Sequence, residues 1–326
     1  MVVRRIGSKP IEPATGRGEN GMRLIVMGQQ AFGRDALEKI LEAGKDEVAA
    51  VYCAPDKPGR PMDPLKKLAS EEDLPIHQPA NFTDESVLET LRGHDADLMI
   101  MAYVTVFVPE AARDIPRMGS ICFHPSLLPL HRGPSAVNWP IIQGSAKSGF
   151  SWFYPTDGLD EGDVLLQWEC EIGPDDTVVD LYFKKIYPAG VASVLEVCDL
   201  FRSGDPPRTV QDESKATYES WCRKKDARID WARPVEEVYN LIRGTNPAPG
   251  AWTTAGGEEV QIYDSSRGEE VGAPGEVLSV TQDGVTIAAG GGSILARRVR
   301  PVGTDKVSAA KWAAVAKIGV GAKLGT

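Results

Sequence analysis

His124 and Asp160 are the side chains whose types and setting suit general acid–base chemistry. His124 lies in Phe123-His-Pro-Ser-Leu-Leu-Pro-Leu-His-Arg-Gly133, at the expected end of an apolar strand and followed by a proline that stiffens the loop. Asp160 lies in Asp157-Gly-Leu-Asp-Glu-Gly-Asp163, whose acidic side chains and two glycines compose a tight turn rather than a helix or strand. Alone, each fragment reads as a structural histidine or a solvated turn. Brought together, an imidazole and a carboxylate can move protons near neutral pH. Cys122, two residues before His124, shares its face on a strand. It serves either as a nucleophile or, following the general habit of cysteine, as a small buried hydrophobe. His131 and Arg132 either meet an anionic part of a substrate or cap the loop. Asp157 and Asp163 read as loop-shaping residues, and His77 and His94 as solvated loop residues.

The elements that must position these groups alternate between strand and helix. The pattern predicts strands over 24–28, 48–53, 97–104, 120–123, 150–154 and 164–170, with helices over 34–43, 64–71 and 84–91, the last capped by Thr83. That alternation implies an α/β domain with a doubly wound, mostly parallel sheet, whose ligands bind beyond the carboxyl ends of the strands. The stretch 177–201 reads as one long helix that Pro188 kinks or interrupts. Beyond residue 224 the texture changes. A helix over 234–242 precedes short alternating runs at 260–263, 276–281, 285–288 and 294–299, with Asp283-Gly284 as a hairpin turn. This is the pattern of a small antiparallel β-barrel. The expected organisation is a disordered tail over 1–21, a catalytic domain over 22–223 and a barrel domain over 224–326.

Composition narrows the class. The 326 residues carry 36 Lys and Arg against 46 Asp and Glu, a formal charge of −10, which excludes an overall basic nucleic-acid binder. No apolar run reaches membrane-spanning length, so no membrane partner is expected. Five scattered cysteines without a CxxC pair point to a reduced, cytoplasmic setting. Gly28-Gln-Gln-Ala-Phe-Gly33 lacks the GxGxxG spacing of a nicotinamide-binding turn, no P-loop follows a glycine run, and no HExxH is present. Neither a nicotinamide cofactor nor a metal is therefore expected.

FHPSLLPLHRGPSAVNW followed by GLDEGD resembles the folate-dependent formyltransferases, a Rossmann-like family. The resemblance runs over nearly all of 22–326. MGQQAFG (27–33), APDKPGRPMDPL (54–65) and the region 149–178 are similar to the formyl-hydrolase domain of 10-formyltetrahydrofolate dehydrogenases; ARIDWARPVEEVYNLIRGTNPAPGAWTT (227–254) is similar to the start of the family's C-terminal barrel. The similarity to that hydrolase domain exceeds the similarity to methionyl-tRNA formyltransferases.

The resemblance implies that His124 is the catalytic histidine and Asp160 the essential aspartate. It places the pterin-lining segment on Val106, Phe107 and Val108, and the loop beside the folate on Ser126, Leu127, Leu128 and Pro129. One departure stands out. The formyltransferases carry Asn where this chain has Cys122, and the dehydrogenase's hydrolase domain has an apolar residue there.

The implied reaction removes the formyl group of 10-formyltetrahydrofolate, the donor co-substrate, and passes it to water or a small amine. Attack on the formyl carbon creates an oxyanion that needs preorganised donors. A protonated His124 supplies one, Asp160 favours that protonated form and positions water, and a thiol at 122 is a poor substitute for an amide. Transfer to tRNA is the disfavoured alternative. Residues 226–326 hold 11 basic against 12 acidic side chains, little for a phosphate backbone to meet. A folate-binding protein with little turnover is the alternative of another class.

Overall fold

The computed structural model describes residues 21–325; the segment read as a tail, 1–21, lies outside them except for Gly21. Strand β1 (Arg23–Gly28) explains the layered fold. Leu24, Ile25 and Val26 are all wholly inaccessible, so both faces of the strand are covered, as in a parallel sheet flanked by helices. Helix α1 (Gln30–Ala43) leads to β2 (Glu47–Cys53), α2 (Pro64–Glu71), β3 (Ile76–His77) and α3 (Glu85–Gly93). Then follow β4 (Leu98–Ala102), a short α4 (Glu110–Arg113), β5 (Ser120–His124), α5 (Asn138–Ile142), β6 (Lys147–Phe153) and β7 (Val164–Glu171). The sheet order is β3-β2-β1-β4-β5-β6-β7. Strands β1 to β5 pair in parallel, and β6 runs antiparallel to β5.

The stretch expected to be one long helix is divided. Thr177 caps α6 (Val178–Leu181) through a capping box with Asp180, a π-helical turn occupies Tyr182–Ile186, and α7 (Tyr187–Arg202) follows. Pro188 has no N–H to give and its ring collides with the carbonyl four residues back, so the ladder re-registers just before it. Within α7, a Cβ on Gly190 would meet the Phe123 ring at 2.8 Å, so only glycine lets the helix lie this close to the sheet. Two other expectations shift. Asp84, not Thr83, is the N-cap of α3. Strand β4 ends at Ala102, because Tyr103 takes a left-handed φ of 65° that leaves the strand.

By compactness the chain divides into two units. Among the described residues, one comprises 21–129, 150–168 and 187–215; the other comprises 130–149, 169–186 and 216–325. The second unit contains α8 (Val235–Gly244), the strands β8 (Ala251–Ala255), β9 (Glu258–Gly268), β10 (Val277–Val280), β11 (Val285–Ala289), β12 (Gly292–Pro301) and β13 (Val307–Ser308), and α9 (Ala309–Ala316). Its antiparallel sheet has the order β10-β11-β12-β9-β8, with β13 beside β12. Strand β9 is far longer than its expected four residues, and β8, β13 and α9 had no counterpart in the sequence pattern. Trp231, Ile242, Ile262, Ile287 and Trp312 belong to the core of this unit.

Candidate active site

The first unit carries His124, Asp160, Cys122 and the segments 106–108 and 126–129. The loop after β1, the segment after β4 and the loop after β5 all leave the carboxyl ends of adjacent strands, with β1 at the point where strand order reverses. Gln29 of the first loop donates from Nε2 to Thr105 Oγ1 at 2.8 Å, tying the first loop to the second. Asp63 accepts from the backbone N–H of Gln30 at 2.9 Å and caps α2 through Leu65 N–H at 2.9 Å.

The β5 ladder places His124 opposite Ser151 and Cys122 opposite Phe153. His124 is buried, and its Nδ1 lies 3.5 Å from Oδ2 of Asp160. The two groups that the sequence separates by 36 residues therefore meet. The contact is longer than an optimal charge-assisted hydrogen bond. Asp160 adopts a left-handed φ of 55°, a conformation aspartate tolerates better than most residues. The turn around it needs glycine. A Cβ on Gly162 would fall 1.5 Å from the Tyr154 carbonyl oxygen.

Cys122 packs with Leu128, Phe153 and Val164. Burial, and then the nearby Asp160 carboxylate, push its thiol well above the ordinary cysteine range. The sulfur is held as a thiol, the unreactive form. Ser126 is wholly buried and Leu128 nearly so. Ser151 Oγ donates to the Ser126 carbonyl at 2.7 Å and accepts from Leu128 N–H at 3.1 Å, while Gln167 Nε2 donates to the Leu128 carbonyl at 2.6 Å. Leu127 and Pro129 are half-buried along this pinned loop. Val106 and Phe107 project outward, with 45% and 63% of their surface exposed, whereas Val108 is buried.

Two positioning residues carry no motif and were not expected from sequence. Arg113, 6% exposed at the end of α4, uses one nitrogen, Nη1, for both the Val108 carbonyl (3.3 Å) and Asp157 Oδ1 (2.6 Å). It thus joins the Val106–Val108 segment to the acidic loop. Gln211 is buried in an irregular segment, and its Nε2 donates to the carbonyls of Asp160 (2.8 Å) and Gly162 (2.6 Å). Beside these lies a cavity of about 320 Å³, lined among others by Arg113, Ser120, Tyr154, Glu161, Asp163 and Arg208. The Arg208 guanidinium stacks over the Tyr154 ring at 3.6 Å.

Other expectations resolve elsewhere. In the second unit, His131 and Arg132 are buried. His131 Nδ1 lies 3.2 Å from Glu219 Oε1, and Arg132 contacts the Tyr218 hydroxyl, so both anchor their loop. His77 and His94 are half-buried rather than fully solvated. Their rings lie 5.0 Å apart around Tyr52, whose hydroxyl is 3.1 Å from His94 Nε2. Among the described residues no helix is long and apolar enough to cross a membrane.

Residues 22–193 match the family model for formyl transferases, and 222–317 match the model for the formyl transferase C-terminal domain. The chain is 38% identical over 250 residues to a cytosolic 10-formyltetrahydrofolate dehydrogenase of Xenopus tropicalis, covering 75% of this chain but 28% of that protein. It therefore spans little more than a quarter of such relatives. It is 34% identical over 310 residues to a methionyl-tRNA formyltransferase of Geobacter sulfurreducens, covering 94% of this chain and 97% of that one. Among solved structures, HypX from Aquifex aeolicus in complex with tetrahydrofolic acid has a TM-score of 0.61 at 20% identity, over 92% of this chain and 48% of that one, a likeness of fold. With both models matching in order along its length, the chain belongs to the formyltransferase family.

Proposed function

We propose that this protein removes the formyl group of 10-formyltetrahydrofolate and passes it to water or a small amine. The observation that carries the reading is the approach of His124 to Asp160 at the carboxyl ends of the central strands. In this reading, the N–H of a protonated His124 donates to the oxyanion formed at the formyl carbon, and the same group can release its proton to the departing nitrogen. Asp160 stabilises the imidazolium and orients the attacking water or amine. Gln211, by fixing the Asp160 and Gly162 carbonyls, holds that carboxylate in register with the imidazole. Cys122, kept as a thiol, fills space and takes no covalent part.

In this reading the bicyclic pterin ring lies against the Asp160 side of the acidic loop, next to His124. Val106, Phe107 and Val108 border the ring, and the loop of Ser126, Leu127, Leu128 and Pro129 lies along the rest of the folate.

Transfer to an aminoacyl-tRNA is the second reading, favoured by the near-complete match to a methionyl-tRNA formyltransferase. The net charge of −10 and the Cys122 departure weigh towards a small acceptor. In the second unit, single bridges from Glu276 to Lys323 and from Ala255 to Leu324 set the C-terminal segment between β10 and β8. This supports a barrel closed by that segment, and the C-terminal-domain match that begins at residue 222 supports a domain boundary near 223. The five cysteines, all free, support a reducing, cytoplasmic setting.

The test is single-turnover release of formate from 10-formyltetrahydrofolate, with His124→Ala as the control, repeated with small amines and with charged initiator tRNA. Formate or a formylated amine supports the proposal. A formylated tRNA replaces it with the second reading. Tight folate binding without any product points to a binding protein.

A further inference from the structure

We propose that Arg298, Arg300 and Lys306 form a binding site for a terminal phosphoryl group, carried by inorganic pyrophosphate or by a small phosphate ester. The site lies wholly within the second unit and is independent of the folate reading. Arg298 and Arg300 are exposed on either side of Val299, which is buried, so the two guanidinium groups share the outer face of β12. Lys306 approaches from the turn before β13. Its Nζ lies 3.5 Å from the centre of the Tyr263 ring, and the Arg300 guanidinium lies 5.6 Å from the same centre. Arg300 is held in place by a buried amide. Its Nε donates to Gln261 Oε1 at 2.8 Å, and Gln261 is itself fixed by donating to the Pro249 carbonyl at 3.0 Å and accepting from the Tyr263 hydroxyl at 2.9 Å. That is the one hydrogen bond of the Arg300 side chain among the described residues, so its two Nη nitrogens remain for a ligand. An arginine fixed in this way loses little freedom on binding.

Other cations of the same unit are neutralised. Lys224 meets Glu259 at 2.6 Å, Arg267 meets Glu236 at 2.5 Å, and Arg297 meets Asp264 at 3.8 Å. Among the described residues no ion pair reaches Arg298, Arg300 or Lys306. Asp264, which β9 sets opposite Arg298, is the carboxylate paired with Arg297, and the exposed Asp305 pairs with none of the three. Burial, then Arg300 and then Arg298, lower the proton affinity of Lys306, so the three charges act on one another. Like charges gathered without a counter-charge repel, and a multiply charged anion relieves them. A phosphate monoester carries about 1.5–2 negative charges near neutral pH and three acceptor oxygens. The Arg300 fork can take two of those oxygens in parallel, and Lys306 and Arg298 supply the remaining charge. A carboxylate brings a single charge that one fork satisfies. A polynucleotide binds tightly through a track of roughly 6–10 phosphate contacts, and three cations bordered by Asp264 and Asp305 make no such track.

The experiment titrates the full chain calorimetrically, at low ionic strength where screening is weakest, with inorganic pyrophosphate, glycerol 3-phosphate, acetate and an oligoribonucleotide lacking a terminal phosphate. The wild-type protein is expected to bind pyrophosphate or glycerol 3-phosphate at least about tenfold more tightly than acetate, the scale of one charge-assisted hydrogen bond. The tighter of the two identifies the source of the phosphoryl group, and either result supports the site. Arg300→Gln and Arg298→Gln should each weaken that binding by about tenfold. Arg300→Lys keeps the charge but loses the fork, and it should weaken binding nearly as much. Arg298 has no protein partner among the described residues, so its variant carries the test if a change at Arg300 disturbs the Gln261 and Tyr263 contacts. Unchanged phosphoryl binding in folded Arg298→Gln overturns the proposal. So do equal binding of acetate and pyrophosphate, absence of binding by either phosphoryl probe, and tight binding of the oligoribonucleotide alone. None of these outcomes bears on formate release, so the folate reading stands or falls separately.

Discussion

The Gln211 side chain donates to the backbone carbonyl of Asp160 at 2.8 Å and, from the same nitrogen, to that of Gly162 at 2.6 Å. Through these bonds an amide 51 residues further along the chain clamps a turn whose central aspartate is left-handed. Gln211→Leu is expected to lower kcat by about 10–100-fold with KM changed little, since small misplacements of a catalytic group carry costs on that scale. Gln211→Glu can donate to the two carbonyls only when its carboxyl is protonated. Its activity should therefore recover towards acid pH relative to the wild type. A pH profile that parallels the wild type would show that Gln211 acts on stability alone.

Asp160→Asn preserves shape and removes the charge 3.5 Å from His124. It should abolish formate release while leaving tetrahydrofolate affinity within a few-fold, a split that rapid-quench and equilibrium-binding measurements separate. Substantial residual turnover would count against its role.

Cys122 stands where the formyltransferases carry an amide. Cys122→Asn places a stronger donor on the face shared with His124, and formyl transfer to an amine should rise, on the scale of about 10²-fold per oxyanion donor. An unchanged or lower rate with every amine tried would mean that the thiol is no degraded donor. Cys122→Ala should stay near wild-type activity, whereas a covalent thioester role requires its loss.

The pair His77 and His94 predicts a pH-dependent stability. Burial lowers the proton affinity of both rings below the ordinary histidine value of 6.5, and for His94 the nearby His77 and Arg23 lower it further. Above about pH 6.5 both rings are neutral in folded and unfolded chains and carry no penalty. As pH falls below that value the unfolded chain takes up protons first, so stability declines towards the depressed folded values. The thermal midpoint should drop between pH 7.5 and 5.5. His77→Phe, which keeps a ring against Tyr52 and removes the buried, unpartnered Nε2, should flatten the dependence. An equal drop in the variant would refute the assignment.

What could be read from the chain was local and periodic. Buried runs such as Leu24–Val26 and Leu98–Ala102 announce a parallel sheet, because a strand covered on both faces has no polar alternation. Pro125 after His124 and the glycines around Asp160 mark two tight loops, and their order carried the family resemblance. The meeting of those loops came from the sheet, which brings β5 and the β6–β7 turn together across 36 residues. Arg113 and Gln211 were illegible for a related reason. Each is one polar residue in a short or irregular segment, and its role depends on carbonyls that only the folded chain brings within reach. Spacing along a chain reports what a residue can share a face with. Which distant backbone groups it will satisfy is decided by tertiary packing, where every buried donor must find an acceptor.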